Sequence, residues 1–156
     1  MKKRNTAIAA VLALLPLGNP LVIGTGIALT STAVVISIPK ANAGNASSYL
    51  KKGDKKIDNE NYKGAILDLN KAIKKDSEYL EAYLSRAHAK FMIEDYKGSI
   101  KDATKAIEID PEYSSAYTTR GNSKEYLDNL NGACSDWRKA SQLGDENAKG
   151  YVKDQC

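Results

Sequence analysis

The chain has 156 residues and a formal net charge of +4 at neutral pH. That charge lies wholly in residues 1–43, which carry Lys2, Lys3, Arg4 and Lys40 and no Asp or Glu; residues 44–156 hold all 19 acidic residues and the rest of the 23 Lys and Arg, and are neutral overall. The basicity therefore argues for no nucleic-acid partner, and about 113 residues remain for one modest core.

Met1-Lys2-Lys3-Arg4 reads as the positive start of an export signal and Ala7 to Leu17 as its apolar stretch. Ala41-Asn42-Ala43 supplies the small-polar-small triplet of a cleavage site, so residues 1–43 are expected to be removed after Ala43. A second uncharged stretch, Leu21 to Ile38, is 18 residues long and nearly spans a bilayer, although Gly24, Thr25, Gly26, Thr30, Ser31 and Thr32 dilute it. An uncleaved membrane anchor is thus the other reading. In both, Lys2 to Arg4 stay cytoplasmic and the remainder is exported to the periplasm, a lumen or the cell exterior. No Cys lies near the cut, so a lipid anchor is not supported. Asn45-Ala46-Ser47 matches a glycosylation sequon, which matters only in a eukaryotic secretory route.

From residue 46 the chain repeats itself every 34 residues. Tyr49, Tyr83 and Tyr117 are one series; Gly53, Ala87 and Gly121 another; Gly64, Gly98 and Gly132 a third. Asp68, Asp102 and Asp136, Lys71, Lys105 and Lys139, and Ala72, Ala106 and Ala140 continue the pattern. A period of this length means stacked supersecondary units, each completing its neighbour's burial. Within a unit the apolar spacing is helical: Tyr49, Leu50, Gly53 and Ile57, then Tyr62, Ala65, Ile66, Leu69, Ala72 and Ile73. The second unit repeats it with Tyr83, Leu84, Ala87 and Phe91, then Tyr96, Ile100, Ala103, Ala106 and Ile107. Asp110-Pro111 is expected to end one helix and open the next, because Pro cannot continue a helix but suits a first turn. Short links make the two helices of each unit antiparallel. Small residues recur where the helices must approach; larger ones would overpack the contact.

These features resemble the tetratricopeptide repeat, a 34-residue helix–turn–helix unit with an early aromatic, a small residue four positions on and a late alanine. Tyr49, Tyr83 and Tyr117 match the aromatic, Gly53, Ala87 and Gly121 the small residue, and Ala72, Ala106 and Ala140 the alanine. Tyr62 and Tyr96 match the tyrosine opening the second helix, with Leu130 in the third unit, and Pro111 matches the family's proline. The resemblance implies an all-α, right-handed solenoid of three units, 46–79, 80–113 and 114–147. The first unit departs most: Lys52 and Lys56 stand where the family prefers apolar residues, so it is expected to be a solvated cap or partly frayed.

Residues 148–156 complete the array as a capping helix, starting from Asp145 or Glu146 and carrying Ala148, Tyr151 and Val152 over the last exposed face. An antiparallel return would run about 14 Å each way at 1.5 Å per residue and bring Cys134 and Cys156 level. A bridge between them is predicted, which an exported location allows; the other reading is two separate buried thiols.

No catalytic constellation is found. His88 is the one histidine, so a multi-His metal site is excluded, and Cys134 and Cys156 lack ligand spacing. No phosphate loop appears, and no cofactor is expected. Glu94-Asp95 falls at a turn, where acids solvate and cap. Trp137 reads as packing between the third unit and the cap. The family lines its concave face with the first helices. By that correspondence the groove should hold Leu50, Lys51 and Asp54; Leu84, Ser85, His88 and Phe91; and Thr118, Thr119, Asn122 and Glu125. Some members grip a C-terminal carboxylate with Lys, Asn and Arg. Here Lys51 and Asn122 only echo that set, and Arg86 and Arg120 read as structural, so no such clamp is predicted. The resemblance implies a non-catalytic module that holds a segment of a partner protein, as scaffold or assembly factor. The alternative is a membrane-tethered, self-associating component of an envelope complex.

Overall fold

The structure, a computed structural model, describes residues 43–156. Of the segment read as signal or anchor, only Ala43 falls within it. Among the described residues seven helices follow one another: α1 (Ala43–Asp58), α2 (Tyr62–Lys75), α3 (Leu80–Met92), α4 (Tyr96–Ile109), α5 (Ser114–Glu125), α6 (Leu130–Gln142) and α7 (Glu146–Gln155). Each packs on the next, and α1 touches α3 as α3 touches α5, which makes the all-α solenoid.

One local device builds the second helix of every pair. Asn61, Asp95 and Asn129 are the N-caps of α2, α4 and α6, and each accepts a hydrogen bond from the backbone N–H of Gly64, Gly98 or Gly132 at 3.0 Å. Such a cap is worth about 1 kcal/mol. It also explains the glycine series, because a Cβ at Gly98 would meet the Asp95 carboxylate at 2.1 Å. The residue before each cap turns the chain through the left-handed region: Glu60 at φ 59°, Glu94 at 65° and Asp128 at 58°. Pro111 lies between α4 and α5 rather than in a first turn, since α5 starts only at Ser114. Its carbonyl accepts from the Tyr117 hydroxyl at 3.1 Å, as Ser77 accepts from Tyr83 at 3.2 Å one unit earlier.

The core is small-residue packing relieved by a few large side chains. Ala65, Ala72, Ala103, Ala106, Ala133 and Ala140 are fully buried on the second helices. Leu69 fills the space that Gly53 leaves, and Trp137 the space left by Gly121; the equivalent places in the middle pair hold Ala87 and Ala103. Trp137 also packs at 5.1 Å on Tyr151 of α7, beside buried Cys134 and Ala148. The sulfurs of Cys134 and Cys156 lie at 2.05 Å, with their Cα atoms 5.7 Å apart.

Candidate functional site

A row of buried carboxylates runs through the array one unit apart. Asp68, Asp102 and Asp136 are 6%, 2% and 4% exposed, and a buried charge must be paired. The lysine on the last turn of each first helix supplies one partner: Lys56 Nζ reaches Asp68 at 2.6 Å, Lys90 reaches Asp102 at 2.8 Å and Lys124 reaches Asp136 at 2.7 Å. Arg86 adds a two-pronged grip on Asp102 at 2.7 and 2.6 Å, and Arg120 the same on Asp136 at 2.9 and 2.7 Å. The remaining Nη1 of each arginine reaches back into the preceding unit, to Asn70 Oδ1 from Arg86 and to Thr104 Oγ1 from Arg120. Each guanidinium also lies over the tyrosine three positions before it, Tyr83 or Tyr117. Both arginines are thereby committed to holding units together.

Lys56 is therefore not peculiar to the first unit but the first member of a series with Lys90 and Lys124, and α1 is a continuous helix rather than a frayed one. In the first unit Lys52 replaces the arginine and lies over the Tyr49 ring, while Lys71 provides the second contact to Asp68 at 3.2 Å. The hydrogen bond from Lys56 holds the Asp68 carboxyl below its ordinary range, against the opposing effect of burial. The Asp136 hydrogen bond likewise raises the Arg120 guanidinium.

With these cations spent, the groove residues can be sorted by place. His88 and Phe91 of α3 and Thr119 and Asn122 of α5 line one hollow. It adjoins a second, lined by Phe91, Asn122, Glu125, Tyr126 and Tyr151. Asn122 is oriented by Trp137, whose indole N–H donates to Oδ1 at 2.8 Å. Other expected groove residues lie elsewhere. Leu84 is half-buried against Leu80, Ala106 and Ala116, and Leu50 against the first cluster with Leu69. The Thr118 hydroxyl donates to Asp145, the N-cap of α7, at 2.7 Å. Lys51 is exposed on a face of α1 with Ser47, Ser48, Lys52 and Lys55. Asp54 and Ser85 are half-buried and line neither hollow.

Phe91, Asn122 and Glu125 of the second hollow were expected in the groove, but its tyrosines were not. Phe91 meets Tyr96 edge-on at 5.4 Å and Tyr126 edge-on at 5.1 Å, and Tyr96 stacks on Tyr126 at 4.9 Å. Tyr126 is nevertheless 59% exposed, with exposed Met92, Leu127 and Leu130 also among the turn residues of these two units. Burial, and then the nearby carboxylate of Glu94 and the Tyr126 ring, raise the Tyr96 phenol above its ordinary range. Tyr126 stands where the other units have Asp58 and Met92, so it belongs to no periodic series; that lack of repetition was the available signal. Among the described residues, no group of three or more His, Cys, Asp or Glu is placed to hold a metal, and no helix is long and apolar enough to cross a membrane.

No protein-family model and no curated protein matches the chain. Solved structures do. The second TPR domain of Spaghetti (RPAP3), bound to the HSP90 peptide SRMEEVD, is 30% identical at a TM-score of 0.65, the match covering 67% of this chain and 96% of that one. The second TPR domain of human RPAP3, in complex with the HSP70 peptide SGPTIEEVD, is 28% identical at a TM-score of 0.68, covering 70% and 93%. The TPR domain of Arabidopsis OM64 is 27% identical at a TM-score of 0.69, covering 72% and 94%.

Proposed function

We propose, because this chain belongs to the tetratricopeptide repeat family, that it is a non-catalytic module which holds a segment of a partner protein in the groove between α3, α5 and α7. The observation that carries this reading is the pair of joined hollows built on His88, Phe91, Asn122 and Tyr126. Two similar domains are seen with peptides bound. Polar groups that could suggest chemistry are otherwise engaged: Arg86 holds Asp102, Arg120 holds Asp136, Lys56 and Lys71 hold Asp68, and Asp95 caps a helix. Three units offer limited area, which suits affinity of about micromolar rather than nanomolar order.

The site of action is proposed to lie beyond the cytoplasmic membrane. Two features support this: the acid-free, apolar residues 1–43 behind Lys2, Lys3 and Arg4, and the placement of Cys134 against Cys156, which an oxidising compartment would maintain as a disulfide. The mature protein would then begin at Gly44 and leave cells on osmotic shock. Retention in the membrane fraction would instead favour the tethered, self-associating alternative, which rests on the Leu21 to Ile38 stretch.

Affinity capture from the exported proteome tests the groove. A partner retained by the wild-type chain should be lost with Phe91→Ala, while circular dichroism stays unchanged. Capture indifferent to Phe91 would remove the groove from the reading.

A further inference from the structure

We infer that the held segment presents a lysine or arginine, flanked by apolar residues, to the rings of Phe91, Tyr96 and Tyr126 and the carboxylates of Glu94, Glu125 and Asp128. This rests on the groove reading and adds the chemistry of its occupant. The rings alone would accept any apolar side chain; the charges around them select. Glu125, Tyr126 and Asp128 line a single hollow, and Glu94 is exposed two residues before Tyr96. Glu94 and Asp128 occupy equivalent left-handed positions one unit apart, so both acids lie on the same turn edge of the array.

These carboxylates have no hydrogen-bonding or ionic partner of their own among the described residues, whereas Asp102 and Asp136 have two cations each. Lys90 and Lys124, four residues before Glu94 and Asp128, point their Nζ atoms at those buried aspartates at 2.8 and 2.7 Å. Lys97, exposed next to Tyr96 in the chain, is the remaining basic residue of the α3–α4 turn. A lysine or arginine stem would lie along the exposed Tyr126 ring and bring its head over the aromatic face, within reach of the acids. The peptides bound by the two similar domains carry Glu-Glu-Val-Asp; a like segment here would set its carboxylates against Glu125 and Asp128.

The test uses the full chain in non-ionic detergent and three fluorescein-labelled octapeptides. They share one Leu- and Ala-containing frame and carry two lysines, two norleucines or two glutamates. Anisotropy should show the lysine peptide binding about tenfold tighter than the other two, a difference of about 1.4 kcal/mol. Its advantage should shrink as salt rises toward about 1 M, where screening acts within about 3 Å. E125Q/D128N should abolish the preference and Y126A should weaken it, while E81Q/E112Q, which neutralises exposed acids elsewhere, should leave it intact. Equal binding of all three peptides, no binding by any, or a preference that survives E125Q/D128N would overturn the inference. Partner capture that depends on Phe91 yet ignores E125Q/D128N would leave the groove reading standing and sink this one alone.

Discussion

Trp137 occupies the space that Gly121 leaves empty: a Cβ on the glycine would stand 2.6 Å from the indole nitrogen. The ring cannot slide away without cost, because that nitrogen donates to Asn122 Oδ1 at 2.8 Å and the ring itself is fully buried. The same contact joins the core to the groove, since Asn122 lines both hollows.

Gly121→Ala should therefore destabilise the protein by about 1–3 kcal/mol, the usual cost of overpacking. Gly150→Ala is the matched control. Its Cβ meets nothing within 4 Å in the middle of α7, so it should be neutral or stabilise by up to about 1 kcal/mol. Trp137 is the single tryptophan, and denaturant unfolding followed by its fluorescence checks both.

Loss of Arg120 leaves Asp136 buried with Lys124 alone. Because Lys124 still neutralises the carboxylate, we expect Arg120→Ala to cost about 1.5–3 kcal/mol, the range for losing hydrogen bonds to a charged group, rather than the larger cost of stripping a buried charge bare. Removing the exposed partner in Lys149→Ala should move stability by no more than about 0.5 kcal/mol. A double-mutant cycle of Arg120 with Thr104 should also show coupling, because that bond crosses between units.

The stability contribution of Asp68 should depend on pH in a defined direction. Its folded carboxyl titrates below the unfolded value of about 3.9. The ionised, Lys56-bonded form thus stabilises the fold fully above that pH, and the benefit disappears as pH falls through the lower folded value. Asp68→Asn should lie below wild type at neutral pH, and the gap should narrow below about pH 4. Urea midpoints across pH 7 to 3 decide; a constant gap would contradict the assignment.

Cys134 and Cys156, 22 residues apart, are placed to bridge, and a bridge there predicts that α7 loosens on reduction. Cys156→Ser should lower stability by about 3 kcal/mol in the chain-entropy account. Hydrogen exchange should rise first in α7 amides, and Trp137 emission should shift as Tyr151 leaves its face. Unchanged α7 protection under reductant would rule out the pinning role.

What repeats was legible, and what does not repeat was obscured. Tyr49, Tyr83 and Tyr117 recur because every unit needs the same contact, and so do the alanines of the second helices. The Lys56, Lys90 and Lys124 series was equally visible but went unread, since lysines look like solvated surface until a buried carboxylate stands behind them. Thr118 and Leu84 share the helix faces assigned to the groove, yet one is bonded to Asp145 and the other packs into the core. Helix periodicity gives a direction from the axis, and neighbouring elements decide what lies in that direction.

Two separate determinations remain. Local spacing dictated helical hairpins stacked in series, because a 34-residue period of apolar and small residues can be buried in no other consistent way. Only the packed array decided that Asp68, Asp102 and Asp136 would be paired inside it and that Phe91, Tyr96 and Tyr126 would meet at its edge. Those contacts join helices from different pairs or opposite sides of one pair, and their existence depends on angles and distances that no linear spacing contains.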